Sequence, residues 1–387
     1  MAQRVNISRF YAYDLEDIAV AFYRIAKERY GDNCLQGPRV GLFSGQLALV
    51  LGIVKTGLDT EEYGIRGLVC VSNLAHLFQV GGGNGEPVVT AIGVHPRKQT
   101  EVESFLSAIQ EHLEKASIYK GKAVTASKEF MDLSNEPSGA VVYGDAIKRE
   151  LEAHVWSLIT RAEICENAGI PPRRKVLFVG PYGSGKTLTA FLTAQIAVQH
   201  GWTFIYMPPT QENANCSIDH VYEFAKRYQP SVVFIEDIER EQRYDDKFVF
   251  GRIMNIIDGI ETKNVRILTV MTTNRQDKVA GGMQRPGRID KIIDFGNYTK
   301  TDAVALLQKH IPQKFLNGQI DWEKVGIACE EFAPAFVCEV AISAKLLAIS
   351  ECEINGVPHI TAKLLIDAAN SLRSQHEKCS EVLGFHK

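Results

Sequence analysis

Val176-Leu177-Phe178-Val179-Gly180-Pro181-Tyr182-Gly183-Ser184-Gly185-Lys186-Thr187 joins an apolar run, a glycine-rich turn and the opening of a helix in one stretch. The run before the glycines is short and wholly apolar, which predicts a strand buried on both faces. Leu188-Thr189-Ala190-Phe191-Leu192-Thr193-Ala194 continues in helical character. Glycines at 180, 183 and 185 let the backbone curl so that successive N–H groups converge on phosphate oxygens. The succeeding helix adds the positive end of its dipole. Lys186 is placed to reach the β- and γ-phosphates, and the Thr187 hydroxyl to ligate Mg²⁺. A glycine-rich turn that merely precedes a helix would not account for the lysine–threonine pair behind a buried strand. The stretch implies a site for a nucleoside triphosphate with Mg²⁺.

Such a site needs acids close by to hold the metal. Ser231-Val232-Val233-Phe234-Ile235 is a second run, apolar after its first residue, and it ends in Glu236-Asp237-Ile238-Glu239. The C-terminal end of a buried parallel strand is where open α/β sheets bind ligands, so Glu236 and Asp237 are the candidate acids.

The 387 residues suffice for two or three domains, and the composition, 45% hydrophobic and 23% charged, is that of a globular protein. A net charge of −3 provides no overall basic field to recruit nucleic acid or an anionic membrane. Eight cysteines lie scattered without a CxxC pair or zinc spacing, which reads as free thiols in a reducing compartment. Met1-Ala2-Gln3-Arg4 leads into polar sequence with no secretory leader. The longest apolar stretch, 40–54, contains Ser44 and Gln46 and falls short of the ~20 residues a spanning helix needs. These features together predict a cytoplasmic location.

Before the glycine loop, helical periodicity marks Leu15–Tyr30, and Gly67–Val71 reads as a strand. Gly81-Gly82-Gly83-Asn84-Gly85-Glu86-Pro87 separates two apolar runs and predicts a long hairpin or loop; no Lys-Ser/Thr follows to make it a second phosphate site. Glu101–Ala116 reads as an amphipathic helix. Residues 1–137 thus form a mixed α/β domain, ended by the linker-like Asn135-Glu136-Pro137-Ser138-Gly139. A helix is expected over Asp145–Ala162. Strands are expected at Lys175–Val179, Trp202–Tyr206, Ser231–Ile235, Arg266–Met271 and Lys291–Phe295, separated by helical stretches: the pattern of a wound five-stranded parallel sheet. From Thr299 the chain reads as helical over Asp302–His310, Pro334–Glu351 and Thr361–Arg373.

Residues 140–350 resemble the ATPase module of the AAA clade within the AAA+ superfamily. Several ordered motifs carry the likeness. Val141-Val142-Tyr143-Gly144 resembles the segment that contacts adenine, Thr272-Thr273-Asn274-Arg275 resembles sensor 1, and Gln284-Arg285-Pro286-Gly287-Arg288-Ile289-Asp290 resembles the end of the second region of homology. The resemblance implies an ATPase core at 138–298 with helices on both faces of its sheet, and an α-helical lid at 299–387. Nucleotide contacts then fall to Gly144, Pro181, Tyr182, Gly183, Ser184, Gly185, Lys186, Thr187, Leu188, His310 and Ala335. Thr187, Glu236 and Asp237 would hold Mg²⁺. Asn274 would position the attacking water, while Arg285 and Arg288 would reach into a neighbouring subunit's nucleotide. Trans-acting arginines make activity depend on assembly, so a homo-oligomeric ring, a hexamer in this family, is implied.

The chain departs from the family in its acid order, Glu236 then Asp237 where Asp then Glu is usual. Asp places its carboxylate roughly 1–1.5 Å short of the usual base position unless the backbone shifts. Glu-Asp-Ile, Met254-Asn255-Ile256-Ile257-Asp258-Gly259 and Val270-Met271-Thr272-Thr273-Asn274 resemble the branch of the mitochondrial Rieske-protein translocase, without that branch's membrane helix. Residues 207–217 lack the aromatic–hydrophobic–Gly pore loop of threading unfoldases. Pro334-Ala335 stands where the clade carries Gly-Ala. The expected function is ATP-driven remodelling of a protein or protein assembly, with the client selected by residues 1–137. The alternatives are a nucleic-acid motor or loader, and an ATP-dependent scaffold that hydrolyses weakly because of the exchanged acids. Nucleic acid and membrane are not indicated as partners.

Overall fold

The computed structural model describes residues 4–36, 50–71, 74, 76–83, 86–134, 142–171, 173–208, 217–238, 265–274, 289–351 and 358–382. The stretch 37–49, the linker 135–139, the 254–259 motif and most of 207–217 lie outside them. So do Arg285 and Arg288. The chain divides into two units, Met1–Lys122 with Lys226–Gln229, and Ala123–Ala225 with Pro230–Lys387. The sequence places the end of the first domain at 137; the contacts end it at Lys122.

In the first unit β1 (Val5–Phe10), β2 (Leu35–Gln36), β3 (Val50–Lys55), β4 (Glu61–Val71), β5 (His76–Gly83) and β6 (Glu86–Val94) form an antiparallel sheet in the order β1-β6-β5-β4-β2, with β3 pairing β4. The glycine cluster belongs to the β5–β6 hairpin, where Gly81, Gly82 and Gly83 pair with Val88, Pro87 and Glu86. Helices α1 (Leu15–Tyr30) and α2 (Gln99–Ala116) bury one apolar stripe each, Ile18, Phe22 and Ile25 from the first and Phe105, Ile109 and Leu113 from the second. Phe22, Phe78 and Phe105 meet with ring centroids 5.2–5.5 Å apart. Each buried phenyl contributes about 1.5–3 kcal/mol.

The second unit opens with β7 (Ala123–Thr125), helix α3 (Asp145–Leu151), a π-helical turn at Glu152–Trp156, and short helices α4 (Ser157–Thr160) and α5 (Ala162–Asn167). The helix expected over 145–162 is therefore interrupted by a wider turn. β8 (Arg174–Val179), α6 (Lys186–Gln199), β9 (Thr203–Met207), α7 (Ile218–Arg227), β10 (Ser231–Ile235), β11 (Ile267–Thr273) and β12 (Lys291–Asp294) come next. The sheet order is β12-β8-β11-β10-β9-β7, and all its pairings are parallel. Six strands stand where five were expected, because Ala123–Thr125 joins the edge at β9.

Strands β10 and β11 are buried at every position, their mostly apolar sequences interrupted only by Ser231, Thr269, Thr272 and Thr273. Phe178, Phe204, Phe234 and Phe295 fill the core around them. Four helices complete the unit: α8 (Lys300–His310), α9 (Trp322–Ala328), α10 (Pro334–Ser350) and α11 (Ala362–Val382). A capping box between Thr299 and Asp302 starts α8. Ala341, Ala344 and Ala348 of α10 and Ala368 and Ala369 of α11 are small, buried members of one cluster, so the two backbones can approach closely. Among the described residues no helix is long and apolar enough to cross a membrane.

In the first unit Asp17 is buried within α1, accepting from the Ser117 hydroxyl at 2.5 Å and the Ile118 amide at 3.1 Å. Burial pushes its carboxyl up to about 6. An acid with a raised folded pKa is tolerated without cost below its unfolded pKa and destabilises increasingly as pH rises to the folded value. Asp17→Asn should therefore slow amide exchange in α1 relative to the parent at pH 7.5, by a free energy on the order of 2–3 kcal/mol at most. The gain should vanish near pH 4. A gain independent of pH would remove the carboxylate as its cause.

Candidate functional site

The loop between β8 and α6 sits at the carboxyl end of the sheet. Gly180 donates its amide to the Thr273 carbonyl at 3.3 Å, tying the loop's first residue to the neighbouring strand. A Cβ on Gly180 would lie 2.4 Å from the Phe295 carbonyl oxygen, so no other residue fits there. Gly183 has φ +75°, and its Cβ would lie 2.6 Å from the Ala335 methyl. The Ala335 amide donates to the Gly183 carbonyl at 3.1 Å. The first turn of α10 is thereby held against the phosphate-type loop, and Pro334 occupies the first helical position, where its missing N–H leaves no bond unmade.

Lys186 is 6% exposed and donates to the Gly180 carbonyl at 2.7 Å, the Pro181 carbonyl at 2.9 Å and the Ser184 hydroxyl at 3.2 Å. One turn on, the Thr189 hydroxyl bonds both the Gly185 carbonyl at 2.9 Å and the Tyr143 hydroxyl at 2.7 Å. Burial pushes the Tyr143 phenol up to about 12, so it stays protonated. Trp156, at the end of the π turn, donates its indole N–H to the Thr193 hydroxyl at 3.1 Å.

The two acids diverge. Glu236 accepts from the Thr187 hydroxyl on one oxygen and from the Tyr206 hydroxyl on the other. Tyr206 comes from β9, and burial first, then Glu236, keeps its phenol protonated. Asp237 turns the other way. Its backbone is left-handed, φ +47°, a conformation Asp tolerates better than most residues. Its amide donates to the Thr272 hydroxyl at 2.9 Å, and its carboxylate accepts from the Asn274 side-chain amide at 2.6 Å. Asp290 lies at the opposite, amino end of the sheet: its amide bonds the Lys175 carbonyl at 2.9 Å, and its carboxylate accepts from the Lys175 amide at 2.7 Å.

A cavity of about 360 Å³ opens beside the loop and the acids. Of the expected residues, Tyr182, Gly183, Ser184, Gly185, Lys186, Thr187, Leu188, Glu236, Asp237, Asn274, His310 and Ala335 face it. Pro181 is not among the lining residues, and its carbonyl accepts from the Lys186 ammonium and from the Ser184 amide at 3.3 Å. Gly144 is not among the lining residues; it caps α3, and a Cβ there would lie 3.2 Å from a carboxylate oxygen of Asp302. Val142 lines the cavity from that segment instead, its carbonyl accepting from the Tyr298 hydroxyl. Tyr298, Leu306, Pro334 and Cys338 complete the wall. His310 stands at the end of α8, with its imidazole held below the usual range by burial first, then by Lys345 and Lys309.

A curled loop of amides, a buried lysine, a hydroxyl beside a carboxylate and a recess walled by Val142, Tyr298, Leu306 and Ala335 suit a nucleoside triphosphate and its metal. Residues 176–297 match the AAA family, the ATPase family associated with various cellular activities. This stretch is thus similar to an AAA ATPase domain, a family built on a P-loop NTPase α/β fold. Over 239 residues it is 27% identical to "Probable 26S proteasome regulatory subunit 10B" of Caenorhabditis elegans, a match covering 56% of this chain and 58% of that protein. Over 242 residues it is 27% identical to the "ATPase family gene 2 protein" of Schizosaccharomyces pombe, covering 59% of this chain and 29% of the other. The homology to both is distant, and the match spans less than two thirds of either relative.

The close approach of Gly183 and Ala335 can be tested directly. Gly183→Ala should lower affinity for a fluorescently labelled adenine nucleotide by about tenfold or more, combining the clash with about 1–2 kcal/mol of left-handed backbone strain. Adding Ala335→Gly should relieve the clash and leave the strain. Equal affinities for the single and double variants, measured by equilibrium titration, would mean that the methyl contact is immaterial.

Proposed function

We propose that this chain is an ATP-hydrolysing AAA ring ATPase that couples nucleotide turnover to conformational remodelling of a protein or protein assembly. The observation that carries this reading is the divergence of the two acids. Glu236 is tied to Thr187 and Asp237 to Asn274, which supports Glu236 as the principal metal-side acid and Asp237 as the acid that also faces the attacking water.

The chain's residues fit ATP with Mg²⁺. Thr187 and Glu236 would hold the metal together with Asp237, and bound Mg²⁺ would draw charge from the phosphate oxygens. The amides of 183–187 and the Lys186 ammonium would cradle the phosphates. The recess of Val142, Tyr298, Leu306, His310 and Ala335 would take the adenine. Asp237, oriented by Asn274, would accept a proton from the attacking water. Its left-handed backbone supports this role: a bent main chain can re-aim a short carboxylate.

Arg285 and Arg288 of a neighbouring copy would neutralise charge on the transferring phosphoryl group, an effect worth about 10³–10⁵ in rate. A homohexameric ring follows from that division of labour. The Glu-Asp order and the sequence following β9 favour the Rieske-translocase-like branch, whose ring changes shape as a whole, over a threading unfoldase. The first unit would select the protein client, in a cytoplasmic setting. A scaffold that binds ATP and hydrolyses it weakly is the second reading, favoured by the shorter water-side acid.

Purified chain should bind ATP with Mg²⁺ and release phosphate at a rate per protomer that rises with protein concentration. Lys186→Ala should abolish binding. Asp237→Asn should keep binding and lose phosphate release by about 10²-fold or more. Arg288→Ala should erase the concentration dependence. Nucleotide-induced assembly without phosphate release would select the scaffold, while steady turnover by a dilute monomer would overturn the ring.

A further inference from the structure

One hydrogen bond on the cavity wall has its direction fixed by chemistry. The Val142 carbonyl can only accept, so the Tyr298 hydroxyl that bonds it uses its single proton there. Burial first, then Asp302, keeps that phenol protonated. The phenolic oxygen is left with lone pairs alone, and among the described residues nothing donates to it. Both residues line the cavity. The backbone that carries the phenol is fixed from two sides. Its amide donates to the Phe332 carbonyl at 3.0 Å, and its carbonyl accepts from the Glu331 amide at 3.0 Å. The next residue, Thr299, caps α8, and its hydroxyl donates to the Asp302 carboxylate at 2.7 Å, which adds negative charge near the phenol.

We infer that Tyr298 selects the base of the nucleotide. Its oxygen accepts from an exocyclic amine, which adenine carries at position 6, and repels a carbonyl oxygen, which guanine and hypoxanthine carry there. This inference rests on the nucleotide reading of the cavity. An amine donating to the phenol completes a chain of two hydrogen bonds, amine to phenol and phenol to Val142 carbonyl, in which each polarises the other. A carbonyl in the same place sets lone pairs against lone pairs. The hydroxyl cannot turn to serve it without leaving the Val142 carbonyl unsatisfied. The other walls discriminate less. Val142, Leu306 and Ala335 offer apolar side chains that any base would cover, and His310 and Cys338 contact each other at 3.5 Å.

Calorimetric titration of the whole chain with ADP, inosine diphosphate and the diphosphate of unsubstituted purine riboside compares an amine, a carbonyl and a hydrogen at position 6. The phosphates stay constant, and diphosphates avoid turnover during the titration. ADP should bind most tightly, the purine riboside diphosphate less so, and inosine diphosphate about tenfold or more below ADP. Tyr298→Phe keeps the ring that packs among the C-terminal helices and removes only the oxygen. It should weaken ADP and bring ADP and inosine diphosphate to near parity. A loss shared equally by both nucleotides, with the parent's preference preserved, would overturn the assignment of Tyr298. Equal affinities of the parent chain for ADP and inosine diphosphate would sink this inference alone. If the parent bound none of the three diphosphates, the nucleotide reading would fall with it.

Discussion

Everything at the site depends on how the chain leaves β10. A strand buried at all five positions ends in two consecutive carboxylates, and a carboxylate cannot be buried without partners. In extended backbone consecutive side chains point to opposite faces. Here the left-handed Asp237 adds a bend, and each acid finds its own donor. Glu236 meets the hydroxyl that opens α6, and Asp237 meets the amide just past the end of β11. The extra methylene of Glu236 is taken up by bonds on both oxygens, to Thr187 and Tyr206. The exchanged order of the acids is thus matched by a local backbone shape and by a tyrosine from the adjacent strand.

The contact between Gly183 and Ala335 links the sheet's loop to the C-terminal helices. It is a backbone hydrogen bond and a van der Waals contact with no room for one more carbon. Such a joint transmits small displacements of the loop to α10 directly, because close-packed contacts do not absorb strain. His310 and Cys338 are carried on α8 and α10, so any rigid movement of these helices moves one wall of the cavity as well.

The central strands were legible because only burial on two faces accepts an unbroken apolar run. β8, β10 and β11 therefore appear within a residue or two of their expected ends. β7 was not legible. Ala-Val-Thr has no periodicity, and its place is decided by the free edge of β9, far along the chain. β1 escaped for a related reason: Val5–Phe10 lies mostly exposed, and its partner is β6. At the site, the glycine loop stood out by its spacing, the acids by their place at the end of an apolar strand, and Asn274 only through the resemblance of Thr272-Thr273-Asn274-Arg275 to a family motif. Tyr206, Tyr298, Val142 and Cys338 belong to no spacing rule. They reach the cavity through packing between elements distant in sequence, and Gly144 stands away from it, against the side chain of Asp302.

The widened turn at Glu152–Trp156 sets the aim of its own last residue. Five residues there occupy a coil that an ordinary α-helix would complete with about one fewer. Were the same residues wound as an ordinary α-helix, everything downstream would turn by roughly 100° around the axis. The indole of Trp156 would then leave the Thr193 hydroxyl and the Tyr143 ring, which it meets edge-on at 6.0 Å. Chain length in this one turn, more than the identity of its side chains, fixes the angle at which that indole enters the core.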